Sequence, residues 1–564
     1  MKIERNKQER RAQFRALYEN AKNAYSDTLD GFDKHMRQYQ GSKEIDGGRE
    51  EAITVRNITY ELIESQISTD IPQPKVDPES YSEEKCRLSA SIEALCRSLR
   101  DKLPFEEMND LDERFTYIYG GSVWLCEWDN EASGVKISVI SPRDFIPEPE
   151  IYSEKNMEYC FIKSFTTKDE LIRRYSVKEE DAELFDTDGA ASEDSVLIVT
   201  TYYKDENGSV GKYVFSGDIT LVDIENYYKR KIKVCKKCEK REGECSCGEE
   251  AEFKMTDVDH EDVRDKRTGS LIPSVPYFIP KGLPIAIRRN TPKEKSLFGY
   301  SDCEFIRPEQ QAINKVESRI LQKLLRSGVT PIVPEGATVT LNNAVFGQLI
   351  KMKPGESVSQ YGTVDTTPDI SQDIAEAERL YDHSKRILGI TDAYQGINSR
   401  YQESGYARQL KISQSSGRLE AKKKLKSSAY AALDKLIFEH YLAFSDEVRE
   451  LSVKDGFGKI HNESFDRYDF LYFDTVRGML AYNDEFLFGT DHNGGAEYQR
   501  EAIWERNLEN LKAGTLGDPT DDRTLLRYWQ CQERAHYPNA RENVEYFSER
   551  VTKEGAYDIG TQGI

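Results

Sequence analysis

The stretch SDCEFIRPEQQAINKVESRILQKLLRS, residues 301–327, decides the architecture of this 564-residue chain. Its apolar residues recur at intervals of three and four, which predicts one long helix with a single apolar stripe. The stripe consists of Phe305, Ile306, Ile313, Val316, Ile320, Leu321, Leu324 and Leu325. Pro308 either kinks this helix or marks its first turn, because proline has no backbone N–H and clashes with the preceding turn. Gly328 ends the helix.

A second helix, a polar loop and a third helix follow. After residues of strand and turn character, the second helix begins behind Pro368-Asp369 and ends at Gly389. Its apolar face carries Ile370, Ile374, Ala377, Tyr381 and Leu388. Residues 389–405 form a polar loop, and a very long helix is predicted from Tyr406 to about Glu450.

The first two helices should form a hairpin that buries little surface on its own. Each is about 30–40 Å long at 1.5 Å per residue, and each has only one narrow apolar stripe. Their flanks should therefore pack against neighbouring subunits of an oligomer. An ordinary helical hairpin inside a globular core is the alternative, and the spacing alone does not separate the two.

Outside this region, helical and strand-forming segments alternate. Apolar residues at helical spacing occupy residues 1–40, 53–67, 80–103 and 495–550. The alternation typical of strands occupies residues 117–128, 135–140, 196–203, 212–215 and 468–476. Asp205-Glu206-Asn207-Gly208 is a hairpin turn signal between two of these strands. The sequence therefore predicts an α+β fold.

The charge balance limits the classes of function. There are 79 Lys and Arg residues and 100 Asp and Glu residues, which gives a formal net charge of −21. This argues against a sequence-reading DNA-binding protein and against binding to an anionic membrane, because both depend on clustered cations. No stretch approaches the roughly 18 apolar residues of a membrane helix. The charged start, MKIERNK, lacks the apolar core of a signal peptide, so we expect a cytosol-like compartment of synthesis.

Four of the ten cysteines form a cluster. Cys235, Cys238, Cys245 and Cys247 give the pattern C-x2-C-x6-C-x-C in a charged segment, residues 225–270. Four thiolates suit a tetrahedral zinc ion, and a full set of four leaves no open position, so the predicted zinc is structural. Free surface thiols or a redox pair are the alternatives. The six scattered cysteines are expected to be buried thiols.

We find no enzyme motif. The Walker pattern and H-E-x-x-H are absent, and the seven histidines are isolated. Paired acidic residues are expected by chance in so acidic a chain. A zinc-stabilised soluble phage enzyme, a nuclease or protease, stays open as an alternative function, as does another cytosolic ring scaffold.

The order of these segments resembles the portal proteins of tailed bacteriophages. Three strings carry the resemblance. The first is Leu297-Phe298-Gly299-Tyr300-Ser301-Asp302 followed by Gln310, Gln311 and Asn314. The second is Gly389-Ile390-Thr391-Asp392 followed by Glu403-Ser404-Gly405-Tyr406-Ala407. The third is Gln414-Ser415-Ser416-Gly417-Arg418-Leu419-Glu420. The cysteine cluster departs from the general family plan.

The resemblance implies the portal fold, with long stem helices, a mixed α/β wing, a small strand-helix-strand clip and a helical crown. It implies an N-terminal wing over residues 1–300 with the zinc-ribbon-like insert, and a stem helix over 301–327. The clip then spans 328–366 and the second stem helix 367–388. The remaining units are a tunnel loop at 389–405, a long kinked helix and wing return at 406–494, and a crown with the C-terminal tail at 495–564.

The resemblance also implies a function without catalysis. Portal subunits form a dodecameric ring at one vertex of the capsid, through which double-stranded DNA is packaged and ejected. The implied partners are the major capsid and scaffolding proteins, the terminase large subunit and the neck or adaptor proteins. No membrane is involved, and the protein is made in the host bacterial cytoplasm and ends in the virion.

In this interpretation the tunnel loop narrows the channel around the DNA, which it contacts without sequence specificity. The implied channel residues are Thr391, Tyr394, Gln395, Asn398, Arg400 and Gln402. Arg400 could touch a phosphate, although a solvated side chain is at least as plausible. The lysine run at 422–426 on the following helix is interpreted as a solvated face.

Overall fold

The computed structural model has a mixed α+β fold, as the sequence predicts. It describes residues 1–45, 50–51, 54–80, 82–178, 183–189, 192, 194–236, 238, 253–264, 271–326, 329–332, 362–365, 368–390, 417–454, 460–475, 478–491, 504–534, 537, 540, 542–544, 546–548 and 550–551. Within these ranges, no helix combines the length and the hydropathy that a membrane crossing requires.

Helices and strands are both distributed along the described chain. The helices are α1 Lys7–Ala24, α2 Ser26–Tyr39, α3 Ile58–Glu64, α4 Glu83–Lys102, α5 Phe105–Tyr119, α6 Lys168–Tyr175, α7 Asp302–Arg326, α8 Ser371–Leu388, α9 Gly417–Phe444 and α10 Asp522–Arg534. The strands of the first half are β1 Glu44–Ile45, β2 Glu50–Glu51, β3 Gln73–Pro78, β4 Gly121–Asp129, β5 Gly134–Ile140, β6 Phe145–Pro147, β7 Tyr159–Thr167, β8 Ser195–Lys204, β9 Val210–Ser216, β10 Ile219–Ile224, β11 Arg230–Cys235, β12 Phe253–Val258, β13 His260–Arg264, β14 Leu271–Pro276 and β15 Ile285–Arg289. Those of the second half are β16 Val329–Ile332, β17 Gly362–Asp365, β18 Arg449–Lys454, β19 Ile460–Phe465, β20 Leu471–Asp474, β21 Met479–Tyr482 and β22 Phe486–Asp491.

The N-terminal helix lies against a five-stranded antiparallel sheet of order β10-β9-β8-β7-β6. Phe14 and Tyr18 of α1 are buried there, and Phe14 stacks on Tyr213 with ring centroids 4.4 Å apart. The turn predicted at residues 205–208 joins β8 to β9. Its Asp205 carboxylate accepts hydrogen bonds from the backbone N–H groups at positions 207 and 209, so this turn prediction is confirmed.

A three-stranded sheet of order β15-β4-β5 forms the centre of the largest apolar core. Trp124 of β4 is fully buried between Phe105 of α5 and Tyr430 of α9. The chain passes from α5 into β4 at Gly120, whose φ of +88° is in the left-handed region. A Cβ at this position would collide with the carbonyl oxygen of Gly299, so the turn requires glycine.

The two helices predicted for residues 301–327 and after Pro368-Asp369 are α7 and α8, and they pack against each other. Pro308 lies inside α7, in its second turn. Beyond the far end of α7, β16 pairs antiparallel with β17, which leads back toward α8. Residues 333–361, most of the predicted clip, lie outside the described residues.

The third predicted helix is shorter at its C-terminal end than expected. Helix α9 ends at Phe444, whereas the sequence suggested continuation to about Glu450. Glu450 instead lies in β18, which pairs with β19, and the neighbouring Leu451 is buried in the largest core. Cross-strand pairing and burial of this leucine override the helical pattern. Residues 406–416 lie outside the described residues.

The C-terminal region contains a helical segment over residues 504–512 and α10. The two are joined by a hydrogen bond from Gln532 Nε2 to the Trp504 carbonyl oxygen, 3.3 Å long. The ring of Trp504 also packs edge-on against Tyr537, with centroids 4.9 Å apart. A helical C-terminal region is therefore present, as the sequence predicts.

Candidate functional site

The base of the α7–α8 hairpin is buried in the body of the chain. Ile306 and Ile313 of α7 are fully buried and form one apolar cluster with Tyr381 and Leu388 of α8. Helix α3 contributes to the same cluster, so the hairpin is anchored to the N-terminal part of the chain. These contacts place the apolar stripe of α7 at the junction of three helices.

The far end of the hairpin exposes apolar side chains. Leu325 has 72% of its surface exposed, and Leu324 and Ile374 each have 47%. Asp373 fixes the two helices to each other here, with its Oδ1 2.6 Å from Arg319 Nη2. Ile374 lies on the predicted apolar face of α8, and within this single chain that part of the face is not covered. The stripe therefore has a buried half and an exposed half.

The chain is held in place on both sides of residues 391–416, which include most of the predicted tunnel loop. Gly389 caps α8 in a left-handed conformation with φ +78°, and Ile390 is buried in the cluster at the hairpin base. The chain is next described at α9, whose Leu419 is also buried. The six implied channel residues, Thr391, Tyr394, Gln395, Asn398, Arg400 and Gln402, lie outside the described residues.

A groove of about 720 Å³ lies between the end of α8 and the start of α9. The last turn of α8 lines it with Ile387 and Leu388, and the start of α9 lines it with Lys422 and Leu425. Phe305 of α7, 36% exposed, adds an apolar wall. The end of α8 and the start of α9, on either side of residues 391–416, thus line one groove.

A buried ion pair ties α9 to the first residue of α7. Lys422 Nζ lies 2.7 and 2.9 Å from the two carboxylate oxygens of Asp302, which is fully buried. The same carboxylate accepts hydrogen bonds from Gln66 Nε2 at 2.9 Å and Asn290 Nδ2 at 2.7 Å. Its position at the start of a helix adds a favourable dipole interaction. Three regions distant in sequence, around Gln66, residues 290–302 and Lys422, therefore meet at one carboxylate.

One turn further along α9, a second buried network follows. Lys426 Nζ lies 2.9 Å from Glu113 Oε1, and Arg288 Nη1 lies 2.8 Å from the same oxygen. Arg288 also pairs with the fully buried Asp112. Burial alone would raise the pKa of Glu113, but the charges of Arg288 and Lys426 hold that pKa below its usual value. The carboxylate is therefore ionised and locks α9 onto α5.

The interpretation of the lysine run as a solvated face is wrong for two of its members. Lys422 and Lys426 are only 8% and 4% exposed, whereas Lys423 and Lys424 are exposed as expected. The helical spacing of these two lysines indicates the buried face, although their charge suggested exposure. Positions 419, 422, 426, 430 and 433 follow the three-and-four rhythm of the buried face, so two lysines fall on that face.

The cysteine cluster is described only at its first half. Strand β11 ends at Cys235, which is fully buried and pairs with Phe253 of β12. Cys238, three residues on, is partly buried. The described pairing of β11 with β12 reaches Cys235, and Cys245 and Cys247 lie outside the described residues, so the zinc site stays a prediction. Within the described ranges, no group of three or more His, Cys, Asp or Glu side chains is placed to hold a metal ion.

The described part of the chain also contains one Cys–His contact, which the sequence did not predict. Cys126 Sγ lies 3.7 Å from His440 Nδ1, and both residues are fully buried. Burial raises the pKa of the Cys126 thiol and lowers that of His440 to about 4. The ring nitrogen is 2.7 Å from the Leu436 carbonyl oxygen, to which it donates. A neutral thiol that no substrate reaches is a core contact and not a nucleophile. Of the scattered cysteines, Cys96, Cys160 and Cys303 are buried too, and Cys86 and Cys531 are partly buried.

Two comparisons with known proteins found no match. No protein-family model matches this sequence, and no curated protein matches it significantly.

Proposed function

We propose that this chain is the portal protein of a tailed bacteriophage, a non-enzymatic ring subunit. The ring would occupy one vertex of the capsid in the virion and pass double-stranded DNA during packaging and ejection. Terminase and then the neck proteins would dock to it, and the capsid and scaffolding proteins would surround it. A dodecamer is the assembly that the family resemblance implies.

The observation that carries this proposal is the half-exposed stripe of the α7–α8 hairpin. Leu324, Leu325 and Ile374 lie at the end of the hairpin remote from its buried base. Apolar side chains exposed together on paired helices are typical of surfaces that pack against another subunit. Copies of the chain arranged side by side in a ring would cover them.

The anchoring of the loop supports a mechanical role. A loop that contacts moving DNA needs fixed attachment points, and here Ile390 is buried at one side and the Lys422–Asp302 pair lies at the other. A net charge of −21 would repel DNA and let it slide, whereas clustered cations would bind it. In this proposal the protein guides DNA without gripping it.

We also propose that Cys235, Cys238, Cys245 and Cys247 hold a structural zinc ion. Strand β11, which pairs with β12, ends at Cys235, and Cys238 follows three residues later. Four thiolates on one zinc ion would close a small polar module that has little apolar core of its own.

The mass of the purified protein in solution tests the portal proposal. Light scattering coupled to size-exclusion chromatography should give a large oligomer, and end-on electron micrographs should show rings. Leu325→Glu should reduce the mass toward that of one chain, with unchanged helical content, because a charge on the exposed stripe cannot be buried at an interface. Leu184→Glu, at a residue that is 50% exposed in another part of the chain, is the matched control. A wild-type protein that remains a monomer would remove the proposal.

A further inference from the structure

A second cavity beside α7 is lined mainly by cations and amides. Its volume is about 340 Å³, and it lies between α2, the residues that follow α2, and α7. Lys34, Arg37 and Arg307 are its charged lining residues. Although the chain has 100 acidic residues against 79 basic ones, none of the described residues that line this cavity is a carboxylate.

The guanidinium of Arg307 has one N–H donor group, at Nη2, without an acceptor among the described residues. Its Nε donates to Gln38 Oε1 at 3.2 Å, which holds the group in position. Its Nη2 is buried and has no hydrogen-bond partner among the described residues. A buried charged donor without an acceptor is unfavourable, so an acceptor that enters from solvent would be stabilised there.

Two further cations lie in the neighbourhood of Arg307, namely Lys34 and Lys293. His35, on α2, has a pKa of about 3, lowered first by burial and then by the charges of Arg307, Lys293 and Lys34. Lys293 is balanced by Glu304, with 3.3 Å between Nζ and Oε1. Lys34 also lines the cavity and is exposed to solvent, so its ammonium group is accessible to an anion that enters from solvent.

We propose that this cavity binds a phosphate group, with Arg307 Nη2 as the buried donor and the side chains of Lys34 and Arg37 at the rim. Phosphate oxygens accept several charge-assisted hydrogen bonds at once, and a guanidinium matches their geometry. Gln38 and Gln311 also line the cavity and contribute further polar side chains. The phosphate belongs to a small free anion or to a nucleic-acid backbone. The inference does not depend on the portal proposal, because it rests on the cavity of a single chain.

Isothermal titration calorimetry on the full chain at low ionic strength tests this inference with two probes, inorganic pyrophosphate and a short DNA duplex. Arg307→Met should weaken binding at least about tenfold, which is the effect of losing one charge-assisted hydrogen bond. Lys34→Gln should weaken it by a smaller factor. Arg379→Gln is the matched control, because Arg379 is exposed on α8 and pairs only with Glu376 among the described residues. It should leave binding unchanged.

The two probes separate the two sources of phosphate. Binding of pyrophosphate that depends on Arg307 identifies a small anion as the ligand. Binding of the duplex alone, with the same dependence, identifies a backbone phosphate. No binding of either probe, or equal binding by the Arg307→Met and Arg379→Gln proteins, overturns the inference. If Arg307→Met loses helical content, Lys34→Gln decides, and unchanged binding by that variant overturns the inference as well.

Discussion

Replacing Lys422 by methionine tests whether the buried ion pair holds α9 in place. Methionine keeps most of the volume of the side chain and removes the charge. The change leaves the fully buried Asp302 carboxylate with two amide donors, Gln66 and Asn290, and without its cation. It also removes the Nζ that lies 4.9 Å from the ring centre of Tyr117.

The expected cost follows from this geometry. Removing one partner of a buried ion pair destabilises a protein by about 3–5 kcal/mol, because the other charge stays buried. Two amide hydrogen bonds and the start of α7 still stabilise the Asp302 carboxylate, which places the cost near the lower limit, at about 3 kcal/mol. At about 1.4 kcal/mol per factor of ten, the local opening of α9 should become roughly 150-fold more frequent.

Hydrogen exchange followed by mass spectrometry measures this opening directly on peptides from α9. Exchange suits the question because a chain of 564 residues need not unfold in one step, whereas exchange reports each segment separately. Lys423→Met is the matched control on the exposed face of the same helix, where we expect a change below about 0.5 kcal/mol. Adding Asp302→Asn to Lys422→Met should recover part of the protection, since no unpaired charge then remains.

Equal exchange in the Lys422→Met and Lys423→Met proteins would refute the reasoning. So would a double variant that is less protected than Lys422→Met alone. Either result would mean that apolar packing of α9, and not the ion pair, fixes its position.

Three further predictions concern other parts of the chain. Burial raises the pKa of Glu439 to about 7, above its unfolded value of 4.5, so the folded state binds the proton more tightly. The free energy of unfolding should therefore fall by up to about 3 kcal/mol as the pH rises from about 4.5 to 7. Glu439→Gln should remove this pH dependence in urea titrations, and Glu447→Gln, at an exposed residue, should not. Gly120→Ala should cost about 2–4 kcal/mol in thermal unfolding, from its left-handed φ and the collision with a backbone carbonyl. Gly208→Ala has a similar φ of +80° but open space around the new Cβ, so it should cost only about 1 kcal/mol. Elemental analysis after mild dialysis should find about one zinc ion per chain, lost on serine replacement of the four clustered cysteines; freely titratable thiols without metal would contradict the zinc site.

Local patterns were sufficient to predict several elements of the fold. The three-and-four rhythm of residues 301–327 predicted α7, and Gly389 predicted the end of α8. The turn at Asp205 was readable because its signal is local, a short side chain that hydrogen-bonds its own backbone. A pattern of this kind needs only the residues within one or two turns, so the sequence contains all of it.

The sequence alone thus determined the α+β class, the hairpin and its apolar stripe. Only the tertiary structure decided which half of that stripe is covered, and that Lys422 and Lys426 are buried and not solvated. Charge predicts exposure on average, but a lysine on the buried face of a helix is stabilised there when the fold supplies a buried carboxylate as its partner. Asp302 is 120 residues away from Lys422 and Glu113 is 313 away from Lys426, and separations of this size are fixed by the packing of the whole chain.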